Sequence, residues 1–205
     1  MMALRAVAAL LLLLGCVTAR ADVPGRFDYW LLSLSWSPQY CADRTRDPQC
    51  ERQYGFVVHG LWPQNEQGYP EDCGRGDAVG DELVERMLPL MPSAKLIQHE
   101  WRTHGICSGM SQNDYFLTIE RAYRNIGIPE TYRDPTRYLS TSAQDIRRRF
   151  MEANRGLRAE DISLQCAGRY LKEVRLCFDR DFRFRACGED LEDRCRDQIV
   201  LRPSR

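Results

Sequence analysis

The chain has 205 residues, 43% hydrophobic and 28% charged, and its 29 basic residues balance its 29 acidic residues. This length and composition suit a single folded domain and exclude a chain that is disordered throughout. The balanced charge excludes a protein that binds nucleic acid through its net charge alone, so any such affinity must come from a local site.

The N-terminus has the pattern of a secretory signal peptide. Arg5 precedes a short, uncharged, leucine-rich run, and Ala19 and Ala21 supply the small residues that a signal peptidase recognises. We therefore predict a signal peptide at residues 1–21 and a single domain at residues 22–205, exported to a periplasm or to the extracellular space.

Two other interpretations of this segment stay open. The leucine-rich run could be retained as a membrane anchor, although it is too short to span a bilayer comfortably. Residues 13–16 (LLGC) also resemble a lipoprotein processing site, which would attach a lipid to Cys16. We expect the signal to be removed instead. Loss of Arg5 and Arg20 then leaves 27 basic and 29 acidic residues, a formal charge of −2, and no membrane span.

The first half of the domain begins with two predicted strands. Large apolar residues alternate with small ones over residues 27–36 (FDYWLLSLSW), and a second short strand is predicted at residues 54–59, bounded by Gly60 and Pro63. Glycine, proline and acidic residues dominate from there to Asp81, which predicts a long loop.

Helices are predicted next. Asp81 can cap a helix over residues 82–88 that Pro89 ends. Residues 111–114 (SQND) form a capping box for a second helix, which runs to about Asn125.

A third helix opens at residues 141–144 (TSAQ), has Ile146 and Phe150 on one face, and ends at residues 154–156 (NRG). Apolar residues then alternate again over residues 173–178, and Phe182 alternates with Phe184, which predicts strands. Strands at both ends with helices clustered between them predict an α+β domain with a mainly antiparallel sheet.

The cysteines agree with export. Cys16 lies in the predicted signal, and the other eight form the even set expected of up to four disulfides in an exported chain. These eight are Cys41, Cys50, Cys73, Cys107, Cys166, Cys177, Cys187 and Cys195. None of them are spaced as C-x-x-C, so we expect no structural zinc. Eight cysteines allow 105 pairings, and spacing alone does not choose among them.

The chain has only three histidines, and they lie in two short segments. His59 lies in FVVHGLWP, and His99 and His104 lie in QHEWRTHGIC. In an α-helix Glu100 and His104 would lie about 40° apart on one face, which His99 would extend, while Trp101 would project elsewhere and anchor the helix in the core. A face with two imidazoles and a carboxylate titrates near neutral pH.

This segment superficially resembles the H-E-x-x-H zinc signature. That signature needs histidines at positions i and i+4, whereas His99 and His104 are five residues apart and Thr103 occupies the place of the second ligand. We therefore expect no metal cofactor. A metal-dependent secreted hydrolase stays the alternative that this spacing disfavours.

Together the two segments resemble the ribonuclease T2 family. HGLWP at residues 59–63 is similar to that family's first active-site segment, HEW and HGIC within residues 99–107 to its second, and FDYWLLSLSWSP at residues 27–38 to its first strand. The likeness covers most of residues 27–109 and, more loosely, the cysteine-bearing strands near the C-terminus. It implies that family's disulfide-bonded fold, with helices clustered on a mainly antiparallel sheet.

The resemblance implies an endoribonuclease that cleaves single-stranded RNA with low base specificity and without metal. The ribose 2′-hydroxyl attacks the adjacent phosphorus, which gives a 2′,3′-cyclic phosphate and then a 3′-phosphate. This reaction needs a base at the 2′-oxygen and an acid at the departing 5′-oxygen. DNA lacks the nucleophile and should not be cut. We expect RNA as the partner and a monomeric enzyme.

Residue roles follow from the same resemblance. His104 is expected to be the base and His59 the acid, while His99 holds the phosphate and Glu100 positions it and stabilises the transition state.

Base contacts are expected from the segment after His59. Trp62 and Tyr69 would sandwich a base, and Gln64 would bind a base edge. Burial of Trp62 in the core is the alternative.

The chain departs from the family at Thr103, because members usually have a lysine there whose cation meets the phosphate. Arg102 is next in sequence but lies about 100° around a helix, so it is a doubtful substitute. We expect reduced activity, since a charge-assisted contact is missing. A binding protein or toxin component that has lost turnover is a second alternative.

The family also implies a disulfide pairing. Cys73 would pair with Cys107, and Cys166 with Cys195 around a nested Cys177–Cys187 pair, which leaves Cys41 with Cys50.

Overall fold

The computed structural model describes residues 21–44 and 46–204. The predicted signal peptide, apart from Ala21, therefore lies outside the described residues, and so does Cys16. In the described ranges no helix is long and apolar enough to cross a membrane.

Six strands form one sheet. They are β1 (Tyr29–Trp36), β2 (Phe56–Gln64), β3 (Leu139–Thr141), β4 (Ile162–Ala167), β5 (Tyr170–Phe178) and β6 (Ile199–Leu201). The order is β2-β1-β5-β6-β3, with β4 also pairing to β5. All pairings are antiparallel except the parallel contact of β5 with β6. The predicted α+β class and mainly antiparallel sheet are confirmed.

Both faces of β1 are covered by other parts of the chain. All eight residues are buried. Leu32 and Leu34 point into the main hydrophobic core, whereas Tyr29 and Leu31 pack with Cys177 in a second, smaller cluster. The predicted strand is therefore confirmed, and its small residues, Ser33 and Ser35, lie on the face opposite Leu32 and Leu34.

β2 is longer than predicted, since Gly60 and Pro63 lie inside it instead of bounding it. β2 is an edge strand in the sheet order, so Pro63 can lack an N–H without breaking a ladder on both sides. Gly60 pairs with Ser33 next to a break in register. The predicted long loop starts only after Gln64.

Five α-helices are present in the described residues: α1 (Ser37–Tyr40), α2 (Asp81–Met87), α3 (Ala94–Glu100), α4 (Gln112–Arg124) and α5 (Ala143–Ala153). The caps predicted at Ser111 and Ser142 are confirmed, because each hydroxyl accepts a hydrogen bond from a backbone N–H of the first turn. The cap of α2 is Gly80 and not Asp81, which is the first helical residue. At that position the negative carboxylate of Asp81 interacts favourably with the positive end of the helix dipole.

The predicted alternation at Phe182 and Phe184 does not form a strand of its own. Phe182 has φ +61°, and Phe184 makes only an isolated bridge to Phe178. The carboxylate of Asp179 accepts hydrogen bonds from the backbone N–H groups of Asp181 and Arg183, so it stabilises a turn there.

Four disulfides link the chain in the pairing that the family resemblance implies: Cys41–Cys50, Cys73–Cys107, Cys166–Cys195 and Cys177–Cys187. Cys73–Cys107 joins the loop after β2 to the segment that follows α3.

Candidate active site

β2 and the end of α3 bring the predicted site residues together. The ring of Trp62 lies 5.1 Å from the ring of His59 and 5.1 Å from that of His104, measured between centroids. The rings of His99 and His104 are 6.5 Å apart and perpendicular. His59 and His104, 45 positions apart in the chain, therefore both contact one indole.

A bulge in β2 directs His59 into the site. Val58 pairs with Leu34 and Gly60 with Ser33, so His59 is the extra residue between them. Bulges bend a strand and re-aim a side chain, and they are frequent next to active sites.

The turn after α3 is a π-helix, Trp101–Gly105, and not the regular α-helix that the sequence suggests. A π-helix has i→i+5 hydrogen bonds, so this turn is wider than a turn of α-helix. His99 lies just before it in α3 and His104 lies within it, and their rings come within 6.5 Å of each other. A side chain at position 105 would collide with the ring of Trp101. Trp101 is buried and donates to the carbonyl of Asp77, so it anchors the turn in the core as predicted.

Glu100 is fully buried at the centre of the site. Nε1 of Trp62 donates to its Oε2 at 2.7 Å, and its Oε1 lies 3.7 Å from Nε2 of His59. A side chain at Gly60 would collide with this carboxylate, so the glycine lets Glu100 lie directly against β2. Burial raises the pKa of Glu100 to about 7, although His59 and the bond from Trp62 act in the opposite direction.

Sequence reasoning missed Glu173 and its partner Arg175. Oε1 of Glu173 lies 3.0 Å from Nδ1 of His59, and Oε2 of Glu173 accepts two hydrogen bonds from Arg175, at 2.9 and 2.7 Å. Nζ of Lys172 lies 3.8 Å from Oε1 of Glu173. Burial by itself would raise the pKa of Glu173, but His59 and Arg175 lower it to about 2, so the side chain is an anion.

Strand register explains this contact. Glu173 is opposite Ser35 and Arg175 is opposite Ser33 on β1, which separates β5 from β2. Paired residues share a face of the sheet, and serine leaves space above β1. The sequence signal was weak: β5 has opposite charges at i and i+2, but it also contains Lys172, and nothing in its sequence indicates that it pairs with Ser33 and Ser35 of β1.

The three histidines have different pKa values. Burial would lower the pKa of His59, but the hydrogen bond to Glu173 and the charges of Glu100 and Glu173 raise it above its usual value. Burial, with the charges of His99 and His59, lowers the pKa of His104 to about 3. Burial also lowers the pKa of His99, with the charges of His59 and Arg102.

A cavity of about 300 Å³ opens on the Trp62 side and contains the predicted base-contact residues. Its lining residues are Leu31, Trp62, Gln64, Tyr69, His104, Arg175, Asp190 and Leu191. Tyr69 is 52% exposed. Gln64 is mostly buried and its amide donates to the carbonyl of Pro63. The guanidinium of Arg175 lies 5.1 Å from the centroid of the Trp62 ring.

A second cavity, of about 550 Å³, lies on the other side of His59. His59, Glu173, Lys172, Ser93 and Leu96 are among its lining residues. The larger cavity is lined by His59 and the smaller one by His104, so the two cavities adjoin different histidines.

Thr103 is exposed, and its hydroxyl lies 3.4 Å from Nδ1 of His99. It brings no cation to the site. Arg102 is also exposed. The cation that lies next to Trp62 is the guanidinium of Arg175, on β5. Within residues 21–44 and 46–204, no three His, Cys, Asp or Glu side chains are grouped as metal ligands.

The family model described as "Ribonuclease T2 family" matches residues 27–187. A ribonuclease of Aeromonas hydrophila is 37% identical over 173 residues, which are 77% of this chain and 74% of that protein. A probable ribonuclease of Haemophilus influenzae is 36% identical over 122 residues, 50% of this chain and 44% of that protein.

Solved structures share the fold. An RNase-related protein from Calystegia sepium has a TM-score of 0.70 at 19% identity, over 87% of this chain and 98% of that chain. RNase NT in complex with 5′-AMP has a TM-score of 0.66 at 22% identity, over 87% and 99%.

Proposed function

Because the chain belongs to the ribonuclease T2 family, and is therefore a T2-type endoribonuclease, we propose that its reaction is carried out by His59, His99, Glu100 and His104. The observation that carries this assignment is the contact of both His59 and His104 with the ring of Trp62.

His104 acts as the base. Its pKa of about 3 leaves the imidazole neutral at ordinary pH, so it can accept the proton of the ribose 2′-hydroxyl as that oxygen attacks phosphorus. His59, whose raised pKa favours the imidazolium, donates a proton to the departing 5′-oxygen. The P–O5′ bond breaks and a 2′,3′-cyclic phosphate forms, which water can later open to a 3′-phosphate.

Glu100 and His99 contact the phosphate. With a pKa of about 7, Glu100 is partly protonated near neutral pH, so its carboxyl can donate a hydrogen bond to a phosphate oxygen instead of repelling it. Its Oε1 has no hydrogen-bond partner in the described part of the chain and faces His59. His99 is neutral and contributes an N–H donor.

Glu173 is a positioning residue. Its carboxylate accepts from Nδ1 of His59, which leaves Nε2 directed into the cleft and stabilises the imidazolium, as a buried aspartate does for the histidine of a Ser-His-Asp triad. Arg175 keeps Glu173 ionised.

The two cavities receive the two nucleosides. The base 5′ of the cleaved bond lies in the Trp62 cavity, between Trp62 and Tyr69 and within reach of Gln64, and stacking there tolerates different bases. The leaving nucleoside lies in the larger cavity beside His59.

The remaining features are part of the proposal. Residues 1–21 are a signal peptide, and residues 22–205 are one domain exported to a periplasm or to the extracellular space. That domain acts as a monomer on single-stranded RNA and does not cleave DNA, which lacks the 2′-hydroxyl.

A product assay tests this function. Purified, oxidised protein should convert a dinucleoside monophosphate into a 2′,3′-cyclic phosphate in excess EDTA, and His59→Ala should reduce the rate at least about 100-fold. An intact dinucleotide would favour a binding protein that has lost turnover, and loss of activity in EDTA would favour a metal-dependent hydrolase.

A further inference from the structure

One face of β5 continues past the cleavage site. Leu171, Val174 and Leu176 of this strand lie in the hydrophobic core. Between them the strand presents Glu173 beneath His59 and then Lys172, which lines the larger cavity.

Tyr170 is the next outward residue, about 10 Å from Glu173 at the rise of a strand. It belongs to a cluster that we name the exit surface, in which Tyr138 and Arg169 are exposed and Tyr170 and Arg202 are partly exposed. The guanidinium of Arg202 lies 4.3 Å from the centroid of the Tyr170 ring, and that of Arg169 lies 5.4 Å from it. Nη1 of Arg202 donates to the hydroxyl of Tyr138, whose side chain is 56% exposed.

The exit surface is joined to the larger cavity through a direct contact. Nε of Arg202 donates to Oε1 of Gln39 at 2.8 Å, and Gln39 lines that cavity. Tyr40 and Arg44 also line it, with the Arg44 guanidinium 4.7 Å from the Tyr40 ring. Cations and aromatic rings therefore follow one another from His59 outward.

The charge of this path is unbalanced. Arg44, Arg169 and Arg202 form no ion pair within the part of the chain that the structure describes, whereas the three arginines of α5 all do. Asp43 and Glu173 also line the cavity, but Glu173 is already paired with Arg175 and His59. A chain with a formal charge of −2 after signal removal thus carries a local basic path that starts at the site.

We propose that the exit surface binds single-stranded RNA 3′ of the cleaved bond, beyond the leaving nucleoside. Arginine planes and tyrosine rings are the groups on which unpaired bases stack, and the guanidinium groups also bind phosphates. The direction rests on the proposed function, because His59 as the acid puts the departing strand on this side. The enzyme then prefers long substrates to dinucleotides.

The experiment compares oligoribonucleotides that have one cleavable linkage and 2′-deoxy residues elsewhere. One series is extended by one to five nucleotides on the 3′ side and a matched series on the 5′ side. For the wild-type protein, kcat/KM should rise about five- to tenfold with 3′ extension and change less than about twofold with 5′ extension.

The test variant is Tyr138→Ala with Arg169→Glu, two exposed changes outside both cavities that flank the histidines. It should lose the gain from 3′ extension while it cleaves a dinucleotide at the wild-type rate. Arg155→Glu, an exposed arginine after α5, makes the same charge change and should keep the gain. Equal rates for short and long substrates, a gain retained by the test variant, or an equal loss in Arg155→Glu would overturn the proposal.

A binding measurement separates this proposal from the proposed function. An uncleavable, labelled 2′-O-methyl oligonucleotide should bind the wild-type protein at least about fivefold more tightly than it binds the test variant. If the wild-type protein fails to cleave a dinucleotide but this difference persists, the assigned chemistry is wrong and the binding surface stands. If cleavage is normal and the difference is absent, the surface is wrong and the chemistry stands.

Discussion

Nδ1 of His59 lies 3.0 Å from Oε1 of Glu173, although the two residues belong to strands that do not pair with each other. β1 lies between these strands, and at this point of its length it presents the small side chains of Ser33 and Ser35 on that face, so the two longer side chains meet above it. The buried carboxylate of Glu173 therefore holds the imidazole of His59 in place at the cleft.

Glu173→Gln should weaken the acid. Burial alone lowers the pKa of His59, and Glu173 supplies part of the opposing effect, so the variant should lose the imidazolium at lower pH. We expect the alkaline limb of the kcat/KM profile to move to lower pH and the rate at pH 8 to fall about 10- to 100-fold. The control is Glu85→Gln, at an exposed position of α2, which should have no effect. An unchanged alkaline limb would remove Glu173 from the mechanism.

The wild-type pH profile should be a broad bell. The base must be neutral, and the pKa of His104 is about 3, so activity should rise through the region near pH 3. The acid must be protonated, and the pKa of His59 is above the usual value for histidine, about 6.5, so activity should fall only above that pH. The measurement is kcat/KM for a dinucleotide from pH 3 to 9. An acidic limb above pH 6 would contradict the assignment of His104.

Glu100→Gln should stabilise the fold while it impairs the reaction. The pKa of Glu100 is about 7 in the folded chain and near 4.5 when unfolded, so ionisation opposes folding. Below pH 4.5 Glu100 is protonated in both the folded and the unfolded state, whereas above pH 7 the folded wild-type protein carries the full free-energy cost of a buried, ionised carboxylate. We expect the variant to gain roughly 1–3 kcal/mol over the wild type at pH 8 and much less at pH 4. Urea unfolding at both values checks this, and an equal gain at both would mean that ionisation of Glu100 is not the cause.

Thr103→Lys should raise the rate. Position 103 is exposed and next to His104, so a lysine can add a cation near the phosphate without disturbing the core. We expect kcat/KM to increase by about three- to tenfold, with the larger effect at low salt. Thr103→Gln matches the length without the charge and should stay at the wild-type rate. No change in the lysine variant would indicate that Arg175 already supplies the cation.

The disulfide Cys73–Cys107 should support both stability and base binding. It spans 34 residues and links the loop that carries Tyr69 to the segment after His104, whereas Cys41–Cys50 spans 9 residues. Replacing the first pair with alanine should cost about 3–4 kcal/mol and raise KM. Replacing the second should cost less and leave KM unchanged. Urea unfolding measures the loss of stability and dinucleotide kinetics measure KM. If the variant without Cys73–Cys107 had the KM of the wild-type protein, the loop that carries Tyr69 would lie outside the site.

Local signals made much of the fold predictable. The capped starts of α4 and α5 follow from Ser111 and Ser142, which act within one turn, and the alternation in β1 follows from the residues themselves. Pro63 was misleading because its tolerance depends on β2 being at a sheet edge, which is a property of the whole sheet.

The histidines and Glu100 stand out in the sequence because they cluster in two short segments, and the structure brings them together, as predicted. Glu173 was not, since its role depends on a register across β1 that no local pattern encodes. The π-helical turn was also missed, because residues 101–105 contain nothing that distinguishes it from an α-helix before Trp101 and Gly105 are seen in contact.

The bulge at His59 makes the sheet less regular, but it places the imidazole in the site. A strand one residue shorter at this point would pair with β1 without interruption, and selection for rigidity alone would favour it. The imidazole would then be missing or turned away from the cleft. The bulge therefore interrupts the pairing of β2 with β1 but places His59 in the site. A variant in which the bulge is removed to make the sheet regular should be more stable and inactive.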